Sequence, residues 1–377
     1  MKEIRMVDLK SQYQKIKIEI DSAIQEVIDL TTFINGPAVK EFQSSIEKYL
    51  NVKNAIPCAN GTDALQIALM SLGLNPGDEI ITTDFTFIST VEVIELLGLK
   101  AVLVDVNPDN FNIDPEAIEK SITSKTRVII PVHLFGQCAA MEEIDKIALK
   151  HNLYIIEDMA QAIGSEYIYK NGQRKNAGSL GNIACTSFFP SKNLGCYGDG
   201  GAIFTNDNNL AKKIRSIANH GTKIKYHHEF IGVNSRLDTL QAAILNIKLK
   251  YLDEYNTARN NAANYYDKAL GNNNKLIIPN RSKYSTHCFH QYTLKCQNIN
   301  RDELQKFLKN NNIPSMVYYP IPLHSQEAFN KKKNNEKNFS VSNALCGQVI
   351  SLPMHTELDE EQLNYICQKL IEFVNNN

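Results

Sequence analysis

The 377-residue chain balances 40 basic against 41 acidic residues, for a net charge of −1, and 43% of its residues are hydrophobic. That length allows two or three domains with a substantial core, and the interspersed charges exclude a nucleic-acid-binding face or a polybasic membrane patch. No run approaches 18 apolar residues and the opening M-K-E-I-R-M-V-D-L-K lacks an apolar signal core, so a cytoplasmic, membrane-free protein is expected. The eight cysteines form no C-x-x-C pair and mostly sit in apolar segments. They read as small buried hydrophobes, with neither a disulfide framework nor a metal-ligand set.

In chain order, Ile16, Ile20, Ile24 and Val27 recur at helical spacing and predict an amphipathic helix over residues 14–30. A turn at Asn35-Gly36-Pro37 opens a second helix running to about Leu50. An α/β rhythm follows, with short apolar strands near 53–57, 79–82, 101–106, 127–132, 153–157, 183–188 and 202–205. Helical patterns separate most of them, as at 62–73, 87–97 and 139–150. Strands alternating with helices predict a mostly parallel sheet covered on both faces. The last two strands stand too close for an intervening helix, so the final connection breaks the rhythm.

From Arg236 the pattern changes. Leu237, Leu240, Ile244, Ile247 and Tyr251 predict a long helix extending past residue 265, followed by a strand at 289–295 and a helix at 301–311. The expected division is a large sheet domain over 1–250, with its N-terminal helical segment, and a smaller C-terminal α+β domain over 251–377. Lys331–Asn338, K-K-K-N-N-E-K-N, reads as a solvated loop.

Three strand ends, one turn and one helix start carry candidate chemistry. In Asn182–Asp207 a strand leads through Pro190 to Lys192, and a glycine-rich turn (Gly195, Gly198, Gly200, Gly201) leads into the next strand. Proline and glycine hold such a lysine on a rigid turn, where its amine can lose solvation, drop its pKa and serve as a Schiff-base lysine. In C-A-N-G-T-D-A-L, residues 58–65, Gly61 permits close backbone approach and Thr62 offers an amide and a hydroxyl at a positive helix end, an arrangement suited to a phosphate. A plain helix cap would equally explain an isolated Asn-Gly-Thr. The strand Tyr154–Glu157 runs into Asp158 at the carboxyl edge where open α/β sheets bind ligands, though a solvated strand-end acid is the simpler alternative. Phe87 follows another strand and can stack on a flat ring or fill core. Asn234 and Arg236 precede the long helix, either as ligands or as a capped start with a surface ion pair to Asp238.

The frame S-F-F-P-S-K-N-L-G around Lys192, with the other motifs in this order, resembles the DegT/DnrJ/EryC1/StrS sugar aminotransferases over essentially the whole chain. The resemblance implies a type I, aspartate-aminotransferase-like fold that uses pyridoxal 5′-phosphate (PLP) and works as a homodimer with shared active sites. Lys192 would bond the cofactor covalently and act as general acid/base, Asp158 would pair with the pyridinium nitrogen, and Gln161 would sit near the ring hydroxyl. Phe87 and Ala160 would sandwich the ring. Gly61, Thr62 and Ser187 would hold the phosphate, joined by Asn234 from the other subunit. The run through residue 207, Y-H-H at 226–228 and G-V-N-S-R-L-D-T-L-Q-A-A-I-L are most similar to UDP-sugar 3-aminotransferases, which move an amino group from glutamate to a 3-keto-N-acetylglucosaminuronate. Y-Y-P-I-P-L-H, containing Tyr318, Tyr319 and His324, would line the sugar-nucleotide side, and Arg236 would read the C6 carboxylate. Position 318 departs from the pattern, with Tyr where relatives commonly have His. A dTDP- or GDP-linked 3- or 4-keto-6-deoxysugar aminotransferase is the alternative inside the family, and a non-catalytic binding or regulatory protein the alternative outside it. A sugar 3-dehydratase would have His in place of Lys192.

Overall fold

The computed structural model describes residues 2–329 and 339–377, so the polar stretch Lys331–Asn338 lies outside the described residues. Seven strands form the central sheet: β1 Asn54–Cys58, β2 Glu79–Thr83, β3 Lys100–Val104, β4 Thr126–Ile130, β5 Tyr154–Asp158, β6 Ile183–Ser187 and β7 Gly201–Thr205. Their spatial order is β1-β7-β6-β5-β4-β2-β3. The pairs β3–β2, β2–β4, β4–β5 and β5–β6 are parallel, whereas β7 runs antiparallel to both β6 and β1. Parallel neighbours need a crossover, and the short link from Ser187 to Gly201 holds no helix. The sheet is thus mixed and mostly parallel, as the broken rhythm predicted.

Strand pleating divides the apolar runs between two cores. Ile81, Ile129, Ile155, Ala184 and Phe204 face one side, against Phe42 and Ile46 of helix α3 and Ile144 of α7. Their neighbours Ile80, Val128, Ile156, Ile183 and Ile203 face the other, against Leu65 of α4 and Ile214 of α8. In chain order the helices are α1 Leu9–Lys15, α2 Lys17–Leu30, α3 Pro37–Leu50, α4 Gly61–Ser71, α5 Ser89–Leu96, α6 Pro115–Ser121, α7 Met141–His151, α8 Asn208–Ala218, α9 Thr239–Lys250 and α10 Leu252–Leu270. Fully burying one Ile or Leu is worth about 1.5–3 kcal/mol, so two-sided burial along five strands dominates the stability of this region.

Two expected helices differ from expectation. The helix over 14–30 breaks at Ile16 (φ −117°, ψ 17°) into α1 and α2. The long helix begins at Thr239, three residues after Arg236, and breaks at Tyr251 (φ −101°, ψ 0°) into α9 and α10. Packing explains the second break. Leu245, Leu249 and Leu252 belong to the core under the sheet, but Ala262, Tyr266 and Leu270 belong to a separate core, and one straight rod does not serve both.

That second core contains the antiparallel strands Leu276–Ile277, Tyr292–Cys296 and Val349–Leu352 and the helices Arg301–Asn310 and Glu360–Asn376. Ile4 also packs into it, and Gln362 Nε2 donates to the Glu3 carbonyl at 3.0 Å, so the N-terminal strap crosses onto the C-terminal region. Among the described residues no helix is long and apolar enough to cross a membrane.

Candidate active site

A cavity of about 700 Å³ opens at the carboxyl ends of β5 and β6. At one end the N-terminus of α4 meets Ser187. The Asn60 side chain caps the helix by accepting from the Asp63 amide at 2.8 Å, which leaves the Gly61 and Thr62 amides without partners among the described residues. A Cβ on Gly61 would lie 2.8 Å from Ser187 Cβ, so only glycine lets the helix end close onto β6. Thr62 Oγ1 shares a 2.8 Å hydrogen bond with Ser89 Oγ. Free amides at a positive helix end make a seat for a phosphate.

Strand alternation separates the two acids at the end of β5. Glu157 points away from the cavity and accepts from the Gly178, Leu180 and Gly181 amides at 2.7–2.8 Å, with His133 Nε2 at 3.0 Å. Asp158 points toward the cavity and is 6% exposed; Thr90 Oγ1 donates to its Oδ2 at 2.7 Å and the Ala160 amide to its Oδ1 at 3.2 Å. Glu157 is thus committed to backbone amides and His133, whereas Asp158 faces the cavity.

Gln161 accepts from the Phe135 amide at 2.7 Å and donates to Tyr319 Oη at 3.2 Å. Tyr319 in turn lies beside Phe87, with ring centroids 6.5 Å apart. Phe87 is 56% exposed at the cavity mouth, so it presents a free aromatic face where core packing would have hidden it.

Lys192 projects from a turn pinned at several points. Its amide donates to the Phe189 carbonyl at 2.8 Å, Cys196 N to the Phe188 carbonyl at 2.8 Å, and the buried Lys248 Nζ to the Gly195 carbonyl at 2.6 Å. Burial pushes the Lys192 amine down from 10.5 to about 8, with the Asp158 charge pulling the other way. A lysine with that pKa is uncharged in a useful fraction of molecules near neutral pH.

Of the residues singled out in the sequence, Gly61, Thr62, Phe87, Asp158, Ala160, Gln161, Ser187, Lys192, Tyr318 and Tyr319 all line this one cavity. Three do not. His324 is buried 4% exposed, with Nδ1 2.7 Å from Asp84 Oδ2, its amide donating to Asp84 Oδ1 at 2.7 Å, and its ring stacked 4.4 Å from Phe339. In this chain it docks the Tyr318–Ser325 strap onto the end of β2 and does not face the cavity. Asn234 is exposed and Arg236 half-buried, both outside the lining. The ion pair of the alternative reading, between Arg236 and Asp238, is not formed, and Arg236 has no partner among the described residues. Sequence reasoning missed Ser89 and Thr90, which a polar pair opening a helix two residues after Phe87 could have signalled. It also missed His290 and Asn193, for which no local signal existed.

The arrangement fits pyridoxal phosphate: an anion seat, aromatic walls, a carboxylate and a desolvated amine converge on one space of suitable size. Known proteins agree. The family model described as the DegT/DnrJ/EryC1/StrS aminotransferase family matches residues 14–371. A pleiotropic regulatory protein of Geobacillus stearothermophilus is 46% identical over 372 residues, covering 98% of both chains. The UDP-2-acetamido-2-deoxy-3-oxo-D-glucuronate aminotransferase of Pseudomonas aeruginosa is 46% identical over 371 residues, covering 97% of this chain and 99% of its own. A solved DegT/DnrJ/EryC1/StrS aminotransferase from Brucella abortus superposes with a TM-score of 0.93 at 39% identity, covering 98% of this chain and 99% of its own. Matched over nearly its whole length, the chain belongs to the DegT/DnrJ/EryC1/StrS aminotransferase family of PLP-dependent transaminases.

Proposed function

We propose that this enzyme transfers the amino group of glutamate to C3 of a UDP-linked 2-acetamido-3-keto-hexuronate, as a cytoplasmic homodimer with shared active sites, in the supply of aminosugars for surface polysaccharide. What carries this reading is the convergence of Lys192, Asp158 and the free Gly61 and Thr62 amides on one cavity. The acceptor is taken from the name of the Pseudomonas aeruginosa relative, at 46% identity over nearly all of both chains. The eight free, buried cysteines suit a reducing compartment.

The Gly61 and Thr62 amides and the Ser187 hydroxyl would hold the cofactor phosphate. Asp158 would pair with the ring nitrogen, with Thr90 and the Ala160 amide orienting it, while Phe87 and Ala160 would cover the two ring faces. Bound there, PLP supplies an electron sink that makes the proton on the substrate carbon removable. Lys192 would take that proton on Nζ and later give it back, a task for which a pKa of about 8 suits it. Phe87 and Tyr319 at the mouth limit water.

Charge argues for the second subunit. The cavity of one chain is lined by the carboxylates of Asp63, Asp158 and Asp199 against one cation, Lys192. The proposed ligands add a phosphate, a diphosphate and a uronate carboxylate, so further cations must enter from outside. The segment leading to α9 carries one unpaired: Arg236 has no carboxylate partner among the described residues, and the neutral amide of Asn234 is exposed beside it. Exposed apolar residues of the same segment, Tyr226 and Ile231, would be buried by a neighbouring copy. Arg236 of each subunit would then meet the C6 carboxylate in the other's site.

The test is incubation of the holoenzyme with glutamate and a panel of nucleotide ketosugars, with aminosugar products identified by mass. Amination of the UDP-3-keto-uronate above all others is expected. Preference for a 4-keto-6-deoxy sugar would overturn the acceptor, and cofactor uptake without transfer to any ketosugar would overturn the enzymatic reading.

A further inference from the structure

Beside Lys192 stands a polar feature that the steps above do not use. His290 lies on the cavity wall, 6% exposed, together with Lys192. Its backbone is held by buried Arg259, whose Nη1 donates to the carbonyls of Phe289 (3.1 Å), His290 (3.4 Å) and Met354 (2.9 Å). Its ring Nδ1 lies 3.3 Å from Oδ1 of Asn193, the residue next to Lys192.

The amides on either side decide where the imidazole proton sits. Asn193 Nδ2 donates to the Cys288 carbonyl at 2.9 Å and to Asn256 Oδ1 at 2.8 Å. Asn256 is oriented in turn because its Nδ2 donates to the Ile163 carbonyl at 3.3 Å. Oδ1 of Asn193 is therefore an acceptor, and Nδ1 of His290 carries the proton. An uncharged imidazole protonated there has a bare lone pair at Nε2. That nitrogen has no partner among the described residues and is not occluded, so it opens on the cavity. Burial, with the charges of Lys192 and Arg259, holds His290 well below its usual range, so the ring stays uncharged.

We propose that Nε2 of His290 is the hydrogen-bond acceptor for the amino group in transit, serving in turn the freed amine of Lys192 and the amino group carried by the cofactor. An amine left without an acceptor in a desolvated cavity pays the cost of an unsatisfied donor. Nearby oxygens are already engaged, those of Asp158 by Thr90 and Ala160 and that of Gln161 by the Phe135 amide. A neutral, acceptor-only nitrogen has two further merits: it does not compete with Lys192 for the proton, and it does not attract carboxylates or phosphates. Asn193, through its bonds to Asn256 and Cys288, is the positioning residue that keeps Nε2 bare.

The inference rests on the cavity being the PLP site, and titration of the cofactor-free protein separates the two claims. Two probes are used: pyridoxamine 5′-phosphate, and 4-deoxypyridoxine 5′-phosphate, which has a methyl in place of the aminomethyl group. His290→Leu should weaken binding of the pyridoxamine compound roughly ten-fold or more and leave the methyl compound within about two-fold. His290→Gln, which restores an acceptor oxygen, should recover most of that loss. Equal weakening of both compounds would reduce His290 to cavity shape, and no weakening of either would mean the ring is not used; both results overturn the proposal. Failure of the wild-type protein to bind either compound would overturn the cofactor reading itself.

Discussion

The lysine turn and the segment that leads into α9 are both polar, glycine-punctuated stretches, yet they are built in opposite ways. Around Lys192 each neighbour is committed: Gly195 to Lys248, Asn193 to Asn256 and Cys288, Phe188 to Gly200. Around Arg236 the side chains that carry chemistry are uncommitted, with Asn234 exposed and Arg236 unpaired among the described residues. A committed surround gives a preorganised site and shifts a pKa; an uncommitted one in a well-packed protein points to something that completes it. The first region is preorganised within one chain, and the second would, in the proposed dimer, complete the same cavity of a neighbouring copy.

The largest test of the contrast falls on the committed side. Lys192→Ala should lose turnover by roughly a thousand-fold or more, together with the visible absorbance of the cofactor-loaded protein, while circular dichroism stays native. Near wild-type transamination by that variant would remove the central residue from the mechanism. Next, an Asn234→Ala protein should be inactive alone but complement Lys192→Ala. In a random mixture half the dimers are hybrids with one intact site of two, so activity should recover to about a quarter of wild type. A fully active monomer, seen by sedimentation at assay concentration, would end the idea of a shared site.

A third, smaller effect concerns Arg236 alone. Arg236→Lys keeps the charge but loses the planar fork, so it should cost about 2 kcal/mol or more on the uronate acceptor and far less on an analogue neutral at C6. Equal losses in kcat/KM on both would show that Arg236 does not read C6. The smallest effect is on stability. Lys192 sits near 8 in the fold against an ordinary 10.5, so between those values the unfolded chain holds more protons, and the cofactor-free protein should gain stability as pH rises through that window. Lys192→Met removes the buried charge. It should therefore raise the melting temperature below pH 8, with the gain shrinking from pH 8 to 10.5; a pH-independent difference would place the amine in water.

Much of this molecule was legible in one dimension. The strands carry apolar runs because they are buried on both faces, and the antiparallel β7 follows from a link too short for a helix. Lys192, Asp158, Gly61 and Thr62 could be found because turn chemistry, a strand end and a helix start are local features with local signatures. The helix breaks at Ile16 and Tyr251 had no such signature, since no glycine or proline marks them, and at Tyr251 two separate cores impose the break. His324 misled for the same reason: its motif places it near the cavity, but only the fold brings Asp84 within 2.7 Å, and that buried pair turns the ring to a docking role.

Local residue pattern therefore determined the alternating α/β fold class and marked the candidate site residues, because each depends on neighbours a few positions away, and the order of those motifs carried the family resemblance that implied the cofactor. Tertiary structure alone decided which of two adjacent acids faces the ligand and how far the lysine amine is desolvated. It also decided which nitrogen of His290 bears a proton, through Asn193, 97 positions away, and its partners Asn256 and Cys288. Burial and hydrogen-bond partners set those properties, and both belong to the packed chain.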